Sequence, residues 1–229
     1  MLKIFSYFFL LFSVSFFPQS MKPVNLEVLP LYKEKPVTIS EDKPFVVDEQ
    51  QGLEISKLKF YLSHFEFYRD DKLVFSEENS YHLIDASDER SMKIMFSIPE
   101  NLKFNHIKFY MGIDRKTNNE GIHGGDLDPT KGMYWAWQTG YINFKLEGKS
   151  SLSPDRNHEF RFHLGGYSDP FYAIQEISLP VSSDNILLNM DLDQFILKAN
   201  LAERNSIMIP GKEAVALSGI LSTIFRTER

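Results

Sequence analysis

The sequence predicts an all-β protein, an antiparallel β-sandwich of immunoglobulin-like type closed by one C-terminal amphipathic helix. Three observations carry this expectation. Short runs rich in aromatic and β-branched residues recur along the 229 residues, separated by turn residues, with almost no helical period. With 43% hydrophobic residues the chain can fill one core, which argues for one domain over residues 21–229. Only near the C-terminus does a 3.6-residue period appear: Leu217, Ile220, Leu221, Ile224 and Phe225 fall on one face of a helix expected at about 210–226, entered at Pro210-Gly211.

In chain order, residues 1–20 come first. Lys3 precedes an uncharged run from Ile4 to Phe17 and then Pro18-Gln19-Ser20. A cationic start, a short apolar stretch and a polar end describe a secretory signal peptide, so the chain is expected in the periplasm, secreted or at the cell surface. No later run approaches the roughly 20 apolar residues of a membrane span, so none is expected after signal cleavage. Val24 to Leu29 alternates apolar and polar, as a first strand would. Lys33 to Gln51 is charged and carries Pro36 and Pro44, which reads as loop with short extended pieces. Leu58 to Tyr68 is a strong strand, Asp70-Asp71 a turn, and Leu73-Val74-Phe75 its hairpin partner. Tyr81–Ile84, Lys93–Ile98 and His106–Ile113 follow as strands. Asp114 to Gly132 is the longest loop. Tyr134 to Glu147 reads as one long strand, with Ile142, Phe144 and Leu146 on one face and Tyr141, Asn143, Lys145 and Glu147 on the other. Carried back unbroken, that register puts Trp135 and Trp137 on the polar face; a bulge at Gly140 reverses this. Glu159–Leu164, Tyr172–Leu179 and Ile186–Ile196 complete the strands.

Composition removes several functions. A net charge of −6 with no basic stripe argues against a nucleic-acid partner. The absence of cysteine excludes thiolate metal sites, disulfides and a lipobox anchor. No G-x-S-x-G, Walker loop or cysteine nucleophile is present, so the chain is read as non-catalytic. None of the six histidines has H-E-x-x-H or H-x-x-x-H spacing, so any metal site must be assembled across strands. Asp126 and Asp128, between glycines, offer oxygen donors for calcium or simply fix the turn through loop N–H groups.

The segments KFYLSHFEFY, YHLIDASD, GGDLDPTKGMYWAWQTGYINFKLEGKS, FRFHLGGY and MIPGKEAV, in this order along the chain, resemble the MbnP-like family, copper-binding β-sandwich proteins related to the methanobactin-cassette MbnP and to MopE and CorA. The resemblance runs from about Val24 to Phe225 and implies an exported protein that captures or carries copper. It singles out His82 and His163 as the family's copper-binding histidines, and imidazole suits copper in either common oxidation state. Relatives use an oxidised tryptophan beside the histidines. Here the residue two before His82 is Ser80, which leaves Trp135 and Trp137, with Met133 and Met208 as soft auxiliary donors to Cu(I). A dihaem cytochrome c peroxidase-like protein, as oxidant, and an outer-membrane receptor are the partners implied. The alternative is a sugar- or peptide-recognition module that stacks its ligand on Trp135, Trp137 and Tyr134 beside a calcium-stabilised acidic loop.

Overall fold

A computed structural model describes residues 20–40, 43–48, 52–137 and 140–228; the expected signal segment lies outside them but for Ser20. The first half of the chain forms β1 (Met21–Tyr32), β2 (Lys35–Pro36), β3 (Phe45–Asp48), β4 (Leu53–Arg69), β5 (Lys72–Ser76), β6 (Tyr81–Asp85), β7 (Lys93–Pro99) and β8 (His106–Met111). A short helix α1 (Arg115–Glu120) and two single 3-10 turns occupy the long loop. Then come β9 (Ile142–Lys149), β10 (Glu159–Gly165), β11 (Tyr167–Ser168), β12 (Phe171–Tyr172), β13 (Gln175–Pro180), β14 (Asn185–Asp191), α2 (Leu192–Ala199), β15 (Ser206–Ile207), α3 (Lys212–Leu221) and β16 (Phe225–Thr227).

β4 organises the larger sheet, which runs β13-β8-β4-β9-β10-β15. At 17 residues it is long enough to hold two sets of neighbours end to end: β9 and then β8 along one edge, β3, β6 and β5 along the other. The smaller sheet is built on β1, which pairs with β7 and β14, with β16 beyond β14 and β2 at one end. Apolar residues of the two inner faces, among them Leu58, Phe60, Leu62, Phe96, Phe144 and Leu188, meet in the main core. The sandwich is thus largely antiparallel as expected, except that β1 with β14 and β10 with β15 pair in parallel.

Three local expectations change. The helix is shorter than 210–226: α3 ends at Leu221, and Phe225 turns back into the smaller sheet beside Met190. Ile186 to Ile196 is not one strand; it breaks at Leu192 into α2, which buries Leu192, Phe195, Ile196 and Ala199 on one face. Tyr134 to Glu147 is not one strand either. Regular pairing starts at Ile142, and Tyr134 makes only an isolated bridge to Tyr141.

The outer face of the larger sheet is covered as well. The 114–137 segment folds across it, and Leu127, Met133 and Trp135 pack with Tyr61, Leu83 and Tyr141 in a second apolar cluster. Residues at polar positions of β9 and β10 are buried in consequence, Lys145 and His163 among them. Among the described residues no helix is long and apolar enough to cross a membrane.

Candidate functional site

His163 lies on β10 opposite Lys145 of β9, which lies opposite Lys59 of β4, which lies opposite Asp85 of β6. Cross-strand partners share a face, so these four side chains form one row on the outer face. Each member of this covered row has a partner. Lys59 Nζ meets Asp85 at 2.7 Å. Lys145 donates to Gly132 O in the overlying loop. Burial there pushes the Lys145 ammonium pKa down, opposed by Glu147 and reinforced by Lys57 and Lys59. His163 Nε2 is 2.7 Å from Glu147 Oε1, and Glu147 Oε2 is 3.2 Å from Lys57 Nζ. The hydrogen bond from His163, with Lys57 behind it, outweighs the opposing effect of burial and holds the Glu147 pKa at about 2.

His82 belongs to the other face. It pairs across from Leu62, an inner-face residue, and its ring meets Phe65 and Phe96 in the main core. Its Nε2 is 3.0 Å from Glu77 Oε2. The strand order β10-β9-β4-β6 also places three inter-strand spacings between the two histidines, about 14 Å at about 4.8 Å each. The structure does not bring His82 and His163 together: they point into separate environments, beyond the reach of a shared ion. That corrects the expectation of a joint two-histidine centre. Residue type was readable in the sequence; the face was not, because it follows from how β6 registers against β4. In other respects the histidines are alike, each with one nitrogen held by a glutamate, and neither Glu77 nor Glu147 had been read as a partner.

The tryptophans part company. Trp135 is buried beneath the loop with its ring edge against Gly165, where a Cβ would come within 2.8 Å of Trp135 Cζ3. Gly165 is two residues beyond His163 on the same strand, so Trp135 stands beside the His163 environment. Trp137, 6.4 Å away between ring centroids, is 66% exposed. Met133 is fully buried in the outer cluster. Of the three rings proposed as a stacking platform, Trp135 is therefore closed off and Tyr134 is partly buried, leaving Trp137 open.

The acidic loop fixes itself. Asp126 Oδ2 accepts the Leu83 N–H at 3.0 Å, closing the free edge of β6, while Oδ1 meets Lys131 Nζ at 2.6 Å. Asp128 Oδ1 accepts from the Thr130 N–H and hydroxyl at 2.8 and 2.7 Å. Both carboxylates serve the turn rather than converging on a cation, against the calcium expectation. Among the described residues no three His, Asp or Glu side chains gather as a ready metal cluster.

One constellation escaped the sequence reading. His64 projects from a bulge in β4, with a φ of +53°, and stands edge-on to the rings of Tyr81 and Tyr110. Asp114, at the N-terminus of α1, accepts from Thr117 N–H at 3.0 Å and from Tyr81 Oη–H at 2.6 Å. Burial acts to raise the Asp114 pKa, but these hydrogen bonds prevail and hold it below the ordinary carboxylate value. The trace in the sequence is a switch of the apolar positions of β4 from even numbers, ending at Leu62, to odd ones from Phe65.

The profile of the MbnP family matches residues 21–209. The chain belongs to the MbnP family. The solved structure of MbnP from Methylosinus trichosporium superposes with a TM-score of 0.56 at 14% identity, over 82% of this chain and 80% of that one, a likeness of fold. Comparison with curated proteins gave no significant match. Membership of the MbnP family associates the chain with copper.

Proposed function

We propose that the chain is an exported copper-binding protein of the MbnP family that captures or carries the ion without catalysis, with His163 as its histidine ligand. The choice of residue rests on Trp135 standing beside His163 under the loop, since both histidines have a glutamate contact. Glu147 holds Nε2 of a ring whose side chain is only 9% exposed. With the Nε2 proton directed at that carboxylate, Nδ1 keeps its lone pair, the arrangement that poises an imidazole for a metal. Trp135 beside it, and Met208, which directly follows the β15 partner of Phe162, are the candidates for an auxiliary contact.

His82 is excluded from this centre by its face. Copper titration against a competing chelator is therefore expected to separate the two: His163→Ala loses the tight site and His82→Ala retains it. Undiminished binding by His163→Ala overturns the assignment. Loss in both variants would mean that the two histidines meet in another arrangement of the chain.

If the oxidising dihaem partner implied by the resemblance acts on this protein, Trp135 is the indole placed for a role beside His163. Peptide mass mapping of native material would then find the modified residue at 135. A change confined to exposed Trp137 would point to adventitious oxidation.

A further inference from the structure

We propose that His64 and Asp114 form a separate site for one divalent first-row transition-metal ion, bound by imidazole, carboxylate and water. The proposal does not depend on His163, which lies two strands away on β10.

The neighbours of His64 fix its tautomer. Ser63 Oγ is fully buried and donates its one proton to Gly112 O at 2.8 Å. It can then only accept from His64 Nδ1, 3.0 Å away. Nδ1 is therefore the protonated nitrogen of the neutral ring, and Nε2 carries the lone pair. That lone pair stands 3.6 Å from Asp114 Oδ2, an oxygen already fixed by the Tyr81 hydroxyl.

Two acceptors facing each other at this separation repel unless a cation lies between them. The distance is too long for a direct hydrogen bond. It fits a shared ion: two donors each about 2.0–2.1 Å from a metal and 3.6 Å apart subtend about 120° at it. Nitrogen and oxygen donors of this kind suit zinc, nickel or divalent copper. The side chains are 35% and 23% exposed, which leaves room for water to complete the coordination.

Among the described residues the neighbouring cationic side chains are engaged elsewhere. Arg115, adjacent in sequence, is drawn off by Asp169 at 2.8 Å and lies over the Tyr172 ring. The Tyr110 hydroxyl is turned to Glu176, which Lys108 also meets. The fold holds both donors firmly. The bulge projects His64 out of the strand, and Asp114 is fixed by three hydrogen bonds from Tyr81 and Thr117 to it or to each other.

The test is a zinc titration of the full protein near pH 7.5, followed by the histidine Hε1 NMR resonances and by calorimetry. His64→Asn suits the positive φ, which asparagine tolerates. Asp114→Asn keeps a helix cap while removing the charge. In the wild type the His64 resonance should shift and saturate with one equivalent of zinc. Either variant should weaken that site by at least about 100-fold, since changes one shell further out already cost about 10–100-fold. The same losses should appear in a His163→Ala background. A His64 resonance that stays in place up to millimolar zinc overturns the proposal. So does a resonance that responds to pH but not to zinc, which would make the pair a simple imidazolium–carboxylate contact.

Discussion

Replacing Glu147 by glutamine tests the charged core of the outer face. The His163 hydrogen bond and Lys57 bring the folded Glu147 pKa from 4.5 to about 2. A lowered folded-state pKa stabilises the protein above the unfolded value and loses that contribution as pH falls through the folded value. That displacement corresponds to at most about 3 kcal/mol. The carboxylate is 22% exposed, so solvent screening brings the expected figure to about 2 kcal/mol. Glu147→Gln should therefore be less stable than the wild type by about 2 kcal/mol at pH 6, by about half of that at pH 3.5 and by only a small remainder at pH 2.5. Urea denaturation of both proteins at these pH values measures the gap directly, and other carboxylates titrate in both and cancel. A gap that stays constant from pH 6 to 2.5 refutes the reasoning, because it would owe nothing to the charge of Glu147.

Other outcomes follow from single contacts. Gly148→Ala should be destabilised by at least about 3 kcal/mol, since its Cβ would fall 2.0 Å from Glu54 O and 2.6 Å from the Phe160 ring; a urea midpoint close to the wild-type value would contradict this. Trp137→Phe should leave a blue-shifted emission resistant to iodide, from buried Trp135, whereas retained iodide quenching would place Trp135 at the surface. Asp126→Ala should cost about 1–3 kcal/mol in denaturation, because the Leu83 N–H and Lys131 both lose their acceptor. Millimolar calcium should leave the melting temperature unchanged; a rise of several degrees would show that Asp126 and Asp128 can be recruited from their turn bonds.

The fold was legible where alternation is local. Leu58, Phe60 and Leu62 declared the inner face of β4, and Phe144 and Leu146 that of β9. The β1–β14 pairing joins residues about 160 positions apart, and nothing local announces it. α2 was missed although Leu192, Phe195, Ile196 and Ala199 have helical spacing, because the apolar run before them reads on as strand. Tyr134 to Trp137 misleads in another way: a series of aromatics with good β propensity enters a turn that buries one indole and exposes the next. For the site, the sequence supplied the donors His82 and His163 but not the side of the sheet each would occupy. That depends on the β4–β6 and β9–β10 registers together. His64 was passed over because its importance comes from Asp114, fifty residues away, being brought back by α1.

A sheet covered on both faces usually carries apolar residues throughout, yet β9 and β10 keep Lys145, Glu147 and His163 under the loop. Such groups are tolerable only when each is paired, since an unpartnered buried charge costs far more than a pair returns. Lys145 is bonded to Gly132 of the loop, Lys59 to Asp85 and to the Lys131 carbonyl, and Glu147 to both His163 and Lys57. The polar row thus fastens the 114–137 segment to the sheet at Lys131 and Gly132. The same segment brings Asp114 to His64 and Trp135 to the neighbourhood of His163. Loosening the row should therefore disturb both proposed metal sites at once, although they lie at different places on the sheet. Lys145→Met, which keeps the stem and removes the bond to Gly132, is the variant that separates this coupling from local damage. It removes no donor, but Lys145 lies opposite His163, so the deciding readout is the distant His64–Asp114 site: weakened binding there as well would mark the loop as common support, and unchanged binding there would show that the sheet alone suffices.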